Sequence, residues 1–401
     1  MHTKKCQLCG GSKLVKIIDL GLHPLADTFL PKECADKPIT LYPLNVLLCK
    51  SCGHAMLGYV VPPEERYQKI DYSYTASNSK VSVEHFAKMA ESVGTKISLG
   101  SKDLVIDIGS NDGTLLKSFK SQFGTKVIGI EPSKNIAKIA KKNGITTIND
   151  FFNTKTAKVI SKKEKAKVII ATNVFNHITD MKAFVKDISL ALDKTGLFIF
   201  EVPYFKTLVE QGAFDTIYLE HVSYFNVMPF HKFFKEHALY IHSLEKNDYM
   251  GGSIRVYVSK IKPKDSSIVN EYIDEEKKYG MYDLATYADF TKRIIDFSGR
   301  LNFDLYKAKA SGEKIVAIGA ATKGNTLLNY CKIDSTVIEF ITDSSPLKIG
   351  KFAPGSNIPI RPDSDISNEI SHALILPWNI ADFLVSKLSH LNLKFIIPKM
   401  K

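Results

Sequence analysis

Short, unbroken apolar runs alternate with helix-length amphipathic stretches through the middle of this chain. Leu104-Val105-Ile106-Asp107-Ile108 predicts a strand, followed by a helix near 114–122. Lys126 to Ile130 predicts a second strand ending at Glu131-Pro132, with a helix over about 133–142. A short strand near 145–148 leads to Asp150-Phe151-Phe152. Val168 to Ala171 and Gly196 to Phe200 predict two more strands, with a helix over about 180–192 between them. Runs that are apolar on both faces belong to strands covered by helices on either side. The alternation therefore predicts a doubly wound, mainly parallel α/β sheet of Rossmann type. A helix over about 81–98 leads into it.

The flanks read differently. Residues 1 to about 60 alternate short apolar runs with turns, a few β-strands too sparse to bury a core of their own. Around 245–260, Tyr249 to Val258 reads as a loop entering a late strand, and a polar, mostly helical stretch covers about 265 to 310. It separates the central sheet from a second strand–loop–helix pattern at Ile315 to Thr326. Strands are expected there at 337–341, 373–376 and 394–397. Three units follow: 1–66, a small β module; 67–262, the central α/β domain; and 263–401, a second Rossmann-like domain.

Charge and cysteine usage change this picture in two ways. The formal net charge is +12, but the lysines are dispersed, and the denser cluster at Lys155 to Lys167 reads as a solvated helix face. Arginines are few, so a nucleic-acid partner is not expected, although a moderate positive field would favour phosphorylated or nucleic-acid partners. No apolar segment approaches the ~20 residues needed to span a bilayer, and Met1 to Cys6 lacks the apolar core of a secretory signal. A cytoplasmic protein with no membrane partner, a monomer or weak dimer, is expected. The cysteines Cys6-x2-Cys9 and Cys49-x2-Cys52 have the spacing of paired metal knuckles, each followed by glycine. They predict one structural, tetrahedral zinc whose four thiolates leave no open position. His54 is a minor alternative ligand; Cys34 and Cys331 read as ordinary residues.

The loop Asp107-Ile108-Gly109-Ser110-Asn111-Asp112-Gly113 follows the first central strand, where open α/β sheets bind ligands. Its glycines are spaced G-x-x-x-G rather than G-x-G-x-x-G, and Asp107 and Asp112 would repel phosphate. A cationic ligand without phosphate fits better, and S-adenosylmethionine is one. Asp107, Gly109, Asn111 and Gly113 are the candidate loop contacts. Glu131, at the next strand end, is placed to accept hydrogen bonds from ribose hydroxyls. Asp150, or the neighbouring Phe151, is a candidate for adenine, and Asn173 marks the fourth strand end. Clustered Tyr, Glu and His in Asn173 to His177 and Tyr218 to Phe225 supply a proton acceptor near neutral pH and donors for an oxyanion.

Taken in order, the four knuckle cysteines, Asp107 to Gly113, Tyr218-Leu219-Glu220-His221-Val222-Ser223-Tyr224-Phe225, Gly251 to Arg255 and Gly319 to Thr326 resemble the nucleotide-sugar C-methyltransferases of tetronitrose and mycarose type. The likeness covers essentially the whole chain. It implies an S-adenosylmethionine-dependent enzyme, releasing S-adenosylhomocysteine, that acts on a nucleoside-diphosphate 4-keto-6-deoxysugar. A base would remove the proton beside the ketone, and the enolate carbon, C3 in the family's usual substrates, would take the methyl group. By the family's motif His221 is the base with Glu220 beside it. His177 and Tyr218 are candidates for the 4-oxygen, and Tyr74 for closing the site. Tyr72 competes with Tyr74, and Ser253, Arg255, Lys323 and Asn325 are candidate sugar or phosphate contacts. Two other readings stand beside this one: a zinc-ribbon nucleic-acid methyltransferase, and a non-catalytic nucleotide-binding scaffold.

Overall fold

The computed structural model describes residues 1–35, 37–68 and 72–400. Its centre is a seven-stranded sheet in the spatial order Tyr240–Asn247, Ser253–Ser259, Leu192–Pro203, Ala166–Thr172, Leu104–Ile108, Lys126–Ile130, Thr147–Ile148. The first two strands join the sheet antiparallel, and the other neighbours pair in parallel. The chain order steps outward from Leu104–Ile108 in both directions, so a topological switch point falls beside that strand, where ligands bind in open α/β sheets. All five residues of Leu104–Ile108 are buried, as expected of a strand covered on both faces. Thr114–Phe123 is among the covering helices. No helix among the described residues is long and apolar enough to cross a membrane.

A second sheet is antiparallel, in the order Leu14–His23, Tyr42–Cys49, Ala55–Leu57, Ser223–Tyr224. Its last strand comes from the middle of the chain, with Ala55 opposite Tyr224 and Met56 opposite Ser223. The N-terminal module is thereby completed by residues from the central domain.

The third sheet is parallel throughout, in the order Ile360–Arg361, Ile341–Thr342, Lys314–Ile318, Ile370–Ile375, Lys394–Ile396. Here the strand expected over 337–341 is shorter and later, at Ile341–Thr342. Val337 and Ile338 are buried without entering the sheet, because their N–H groups are taken by Asp334 O in a turn. An apolar run reports burial, and burial is shared by turns that pack inward. One continuous apolar core joins the zinc-module sheet, the helices around Phe205 and Phe290, and the C-terminal sheet.

Candidate functional site

The three units enclose a cavity of about 1240 Å³. One end is built by the first central loop. After Leu104–Ile108 the chain turns through Gly109 at φ 68°, and the N–H groups of Gly109 and Ser110 both reach Ile130 O at the neighbouring strand end. A Cβ at position 109 would stand 2.4 Å from Val174 Cγ2, so only glycine lets the loop lie this close. Asp107 lines the cavity, and no hydrogen bond from a described residue reaches its carboxylate. Burial, with the negative charge of Glu131 adding, pushes its pKa well above the usual range. Glu131 accepts from Asn111 N–H at 3.0 Å and Ser133 N–H at 2.8 Å, and burial raises it to about 7. Each carboxylate oxygen retains acceptor capacity. Two buried acids with no cation paired to them among the described residues suit a ligand bringing hydroxyl donors and positive charge, which is the chemistry of S-adenosylmethionine.

Asn111, at φ 51°, accepts Ala76 N–H at 3.0 Å and donates to Tyr74 O at 3.0 Å. It stitches the tyrosine segment to the loop while lining the cavity. Asn173 also lines it, at φ 53°. Three expectations at this end change. Gly113 lies off the cavity wall and serves the start of the following helix at φ 84°, where a Cβ would meet Ile145 Cγ1 at 2.6 Å. Asp150 turns its carboxylate onto Phe151 N–H at 2.8 Å, and Phe151 lines the cavity instead. Asp112 is spent on Ser77 N–H and the Thr114 hydroxyl, holding structure rather than setting the charge of the cavity.

The other end carries the histidines. Pairing of Ser223–Tyr224 with the N-terminal sheet fixes the segment just before it. His221 Nδ1–H donates to Thr216 O at 2.8 Å, and its ring packs 3.8 Å from Tyr218 and 5.0 Å from His177, centroid to centroid. Tyr67 bonds His177 Nδ1, and Arg66, itself buried, donates to the carbonyls of His177 at 3.2 Å and Glu220 at 3.1 Å. Burial lowers the pKa of both histidines, His221 to about 3 and His177 well below its usual value, with each other's charge and Arg66 contributing at His177. Both rings are neutral near pH 7.

Glu220 does not orient His221. Its carboxylate faces the N-terminal module, accepting Asp27 N–H at 3.1 Å with no partner for Oε2 among the described residues, and lies off the cavity wall. Burial, reinforced by Asp27, raises it to about 7. Adjacent residues face opposite ways here, and a backbone carbonyl does the orienting. The two tyrosines also separate. Both line the cavity, but the Tyr72 ring lies 5.7 Å from Tyr67, on the histidine side, while Tyr74 is tied to the cofactor loop through its carbonyl, which accepts from Asn111 at 3.0 Å.

The C-terminal domain supplies the remaining wall. Lys323 Nζ lies 3.8 Å over the Trp378 ring, 3.6 Å from Asp215 and 3.3 Å from Asn379 Oδ1; burial lowers its pKa against the pull of Asp215. Ser253, Arg255 and Asn325 lie elsewhere. Ser253 and Arg255 sit on a strand paired on both sides, so Ser253 donates inward to Tyr249 O at 2.9 Å and Arg255 pairs with buried Glu201 at 2.8 Å. Asn325 points into the packing face of its helix and donates to Ala26 O at 2.6 Å. Tyr67, Arg66, Asp27, Thr216 and Lys348 are neighbours of the site that the motifs did not mark. An arginine and tyrosine closing the cysteine module were the available signal for the first two. A carbonyl acceptor such as Thr216 leaves no trace in side-chain identity.

The four cysteine sulfurs lie within 4.8 Å of one another, with Cys6–Cys52 and Cys9–Cys49 each at 3.6 Å. Tetrahedral zinc with Zn–S bonds of ~2.3 Å needs sulfurs about 3.8 Å apart, so the set fits one ion. Both knuckles use the same turn, Gly10 N–H to Cys6 O and Gly53 N–H to Cys49 O. His54 stands apart from the sulfurs and pairs with Ser223 Oγ at 3.3 Å.

Sheet order, cofactor loop and acidic strand ends together define a class I S-adenosylmethionine-dependent methyltransferase carrying a zinc-binding module. Residues 6–67 match a family described as zinc binding, residues 84–244 a methyltransferase domain family, and residues 248–398 a C-methyltransferase C-terminal domain family. The chain is 31% identical over 389 residues to the C-methyltransferase NovU of Streptomyces niveus, covering 95% of this chain and 91% of that one. It belongs to this C-methyltransferase family. It is also 33% identical over 97 residues to a ubiquinone biosynthesis O-methyltransferase of Rhodopseudomonas palustris, covering 24% of this chain and 38% of the relative. Magnesium protoporphyrin IX methyltransferase from Synechocystis PCC 6803, solved with bound S-adenosylmethionine, overlaps 45% of this chain and 82% of its own at 13% identity and a TM-score of 0.33.

Proposed function

We propose that the protein C-methylates a nucleoside-diphosphate 4-keto-6-deoxysugar at the carbon beside the ketone, C3 in the favoured assignment. The observation that carries this reading is His221 held by Thr216 O beside His177 and Tyr218, in a cavity that also holds the Asp107–Glu131 loop. An alcohol acceptor would need only a base. A carbon acceptor needs a base together with donors for the oxygen that becomes an enolate, and this cluster offers both. Lys323 and Lys348 on the C-terminal wall suit the diphosphate of such a substrate.

S-adenosylmethionine, when bound, supplies an electrophilic methyl group on sulfur. Asp107 and Glu131 would hold that ligand through its ammonium and ribose groups, with Asn111 and Asn173 lining the same part of the cavity. His221 Nε2 takes the proton from the carbon, and the C–H electron pair moves toward the ketone oxygen. Donors from His177 and Tyr218 stabilise that oxygen. The carbon would then be free to take the methyl group that the bound cofactor supplies, and His221 would return its proton to water. Tyr72 and Tyr74 enclose the site, and exclusion of water strengthens each of these interactions.

The test incubates the protein and its His221→Ala variant with S-adenosylmethionine and dTDP-, GDP- and UDP-linked 4-keto-6-deoxysugars. The expected result is a gain of one methyl by the sugar, located by NMR beside the ketone, and lost roughly 10²–10⁴-fold in the variant with cofactor binding intact. Failure of every sugar while the protein binds cofactor would overturn the substrate class. Full turnover by the variant would remove His221 as base.

A further inference from the structure

The two neighbouring histidines are pinned through the same ring atom by partners of opposite kind. His221 Nδ1 meets a backbone carbonyl, which only accepts, so Nδ1 carries the proton and Nε2 the lone pair. His177 Nδ1 meets the Tyr67 hydroxyl. If that Nδ1 carried a proton, the phenol proton would be left without an acceptor among the described residues. With Tyr67 donating, Nδ1 is the acceptor and Nε2–H is the atom left over. His177 Nε2 is buried and has no hydrogen-bond partner among the described residues. Both histidines are among the residues that line the cavity.

We propose that Tyr67 is a positioning residue that fixes His177 as the Nε2–H tautomer, so that the two histidines present opposite faces to the substrate, His221 an acceptor and His177 a donor. The assignment deepens the enolate reading above and rests on it for its catalytic meaning, though not for its geometry. Without this control both rings could present lone pairs, and the developing oxyanion would lose a donor. Arg66 reinforces the arrangement by holding the His177 and Glu220 carbonyls and lying 5.2 Å over the Tyr67 ring. Arg66 and Tyr67 close the short helix Pro63–Tyr67, directly after the zinc module. Through them the metal-held unit reaches the reacting atoms without supplying a ligand to the substrate.

The test is nitrogen NMR of the full-length zinc-loaded protein with 15N-labelled histidine, comparing the wild type with Tyr67→Phe and using His177→Gln and His221→Gln for assignment. In the wild type His177 should be protonated on Nε2 and His221 on Nδ1. In Tyr67→Phe, His177 should shift to a tautomer mixture while His221 keeps its state and cofactor affinity is unchanged. Protonation of His177 on Nδ1 in the wild type, or an unaltered His177 in the variant, overturns the proposal, and neither result depends on knowing the substrate. In turnover, Tyr67→Phe should lower kcat roughly 10- to 100-fold with KM little changed, below the 10²–10³-fold seen on deleting an oxyanion donor itself. An intact tautomer pair in a protein that methylates none of the keto sugars would count against the substrate class and leave the role of Tyr67 standing.

Discussion

The two ends of the cavity are assembled by opposite strategies. The cofactor end is local: Asp107, Gly109, Asn111 and Glu131 fall within 25 residues of one another and are held by adjacent parallel strands. The histidine end is composite. Tyr67 comes from the short helix Pro63–Tyr67 at the end of the N-terminal module, His177 from the fourth strand end, and His221 from a segment locked by the strand Ser223–Tyr224 into the zinc-module sheet. A local site depends on one supersecondary unit. A composite site inherits the stability of every unit it joins, so the same perturbation should act unequally on the two ends.

Removing zinc tests this most severely. Structural zinc contributes apparent binding energies of ~10–16 kcal/mol in small zinc modules, and here the metal-held sheet carries the strand that fixes His221. Chelation, or Cys49→Ser, is expected to abolish methyl transfer. The dissociation constant for S-adenosylmethionine should stay within about twofold, as for perturbations at independent sites. Calorimetric titration of the cofactor, alongside turnover and zinc content, checks this. Collapse of both functions together would show that the ends fold as one.

Glu131→Ala strikes the opposite end. Losing hydrogen bonds to a charged acceptor should weaken cofactor binding by roughly 1.5–3 kcal/mol, read by the same titration. At saturating cofactor kcat should recover, because the histidines share no hydrogen bond with Glu131. A kcat deficit that saturation does not relieve would mean that the loop also aligns the methyl group with the acceptor.

The same division decides what could be read from the sequence. The parallel strands of the central sheet were legible because each contains an apolar run followed by a helix-length stretch, and local periodicity carries that information; the edge strand Tyr240–Asn247, mixed in polarity, gave no such run. The zinc ligands were legible through their spacing. Ser253, Arg255 and Asn325 stand in loop-like motifs, yet strand pairing on both sides and a helix packing face turn them inward. The Glu220–His221 pairing implied by the family motif gives way to the Thr216 carbonyl, five residues upstream, an interaction that any residue at 216 could make. Contacts spanning 110 residues, as between Tyr67 and His177, leave no local pattern to find.

The smallest effect is also the most specific to the composite end. Glu131 and Glu220 are each raised to about 7 by burial, but only Glu131 lines the cavity, where a ligand can compensate its charge. The Glu220 carboxyl faces Asp27 instead. Between its ordinary value of 4.5 and about 7, the folded chain keeps a proton on Glu220 that the unfolded chain has released. The native state then binds more protons, so this group's contribution makes stability fall as pH rises through that window and level off above it. Glu220→Gln removes the titration. Its denaturant midpoint, compared with wild type under saturating zinc, should gain on the wild type from about pH 5 to about pH 7 and then hold a constant lead. Saturating cofactor should leave that gain unaltered, while flattening any slope that belongs to Glu131. A midpoint difference independent of pH would mean that Glu220 titrates as an ordinary carboxylate and that the composite end tolerates its charge. A difference erased by cofactor would mean that the two ends share one electrostatic environment.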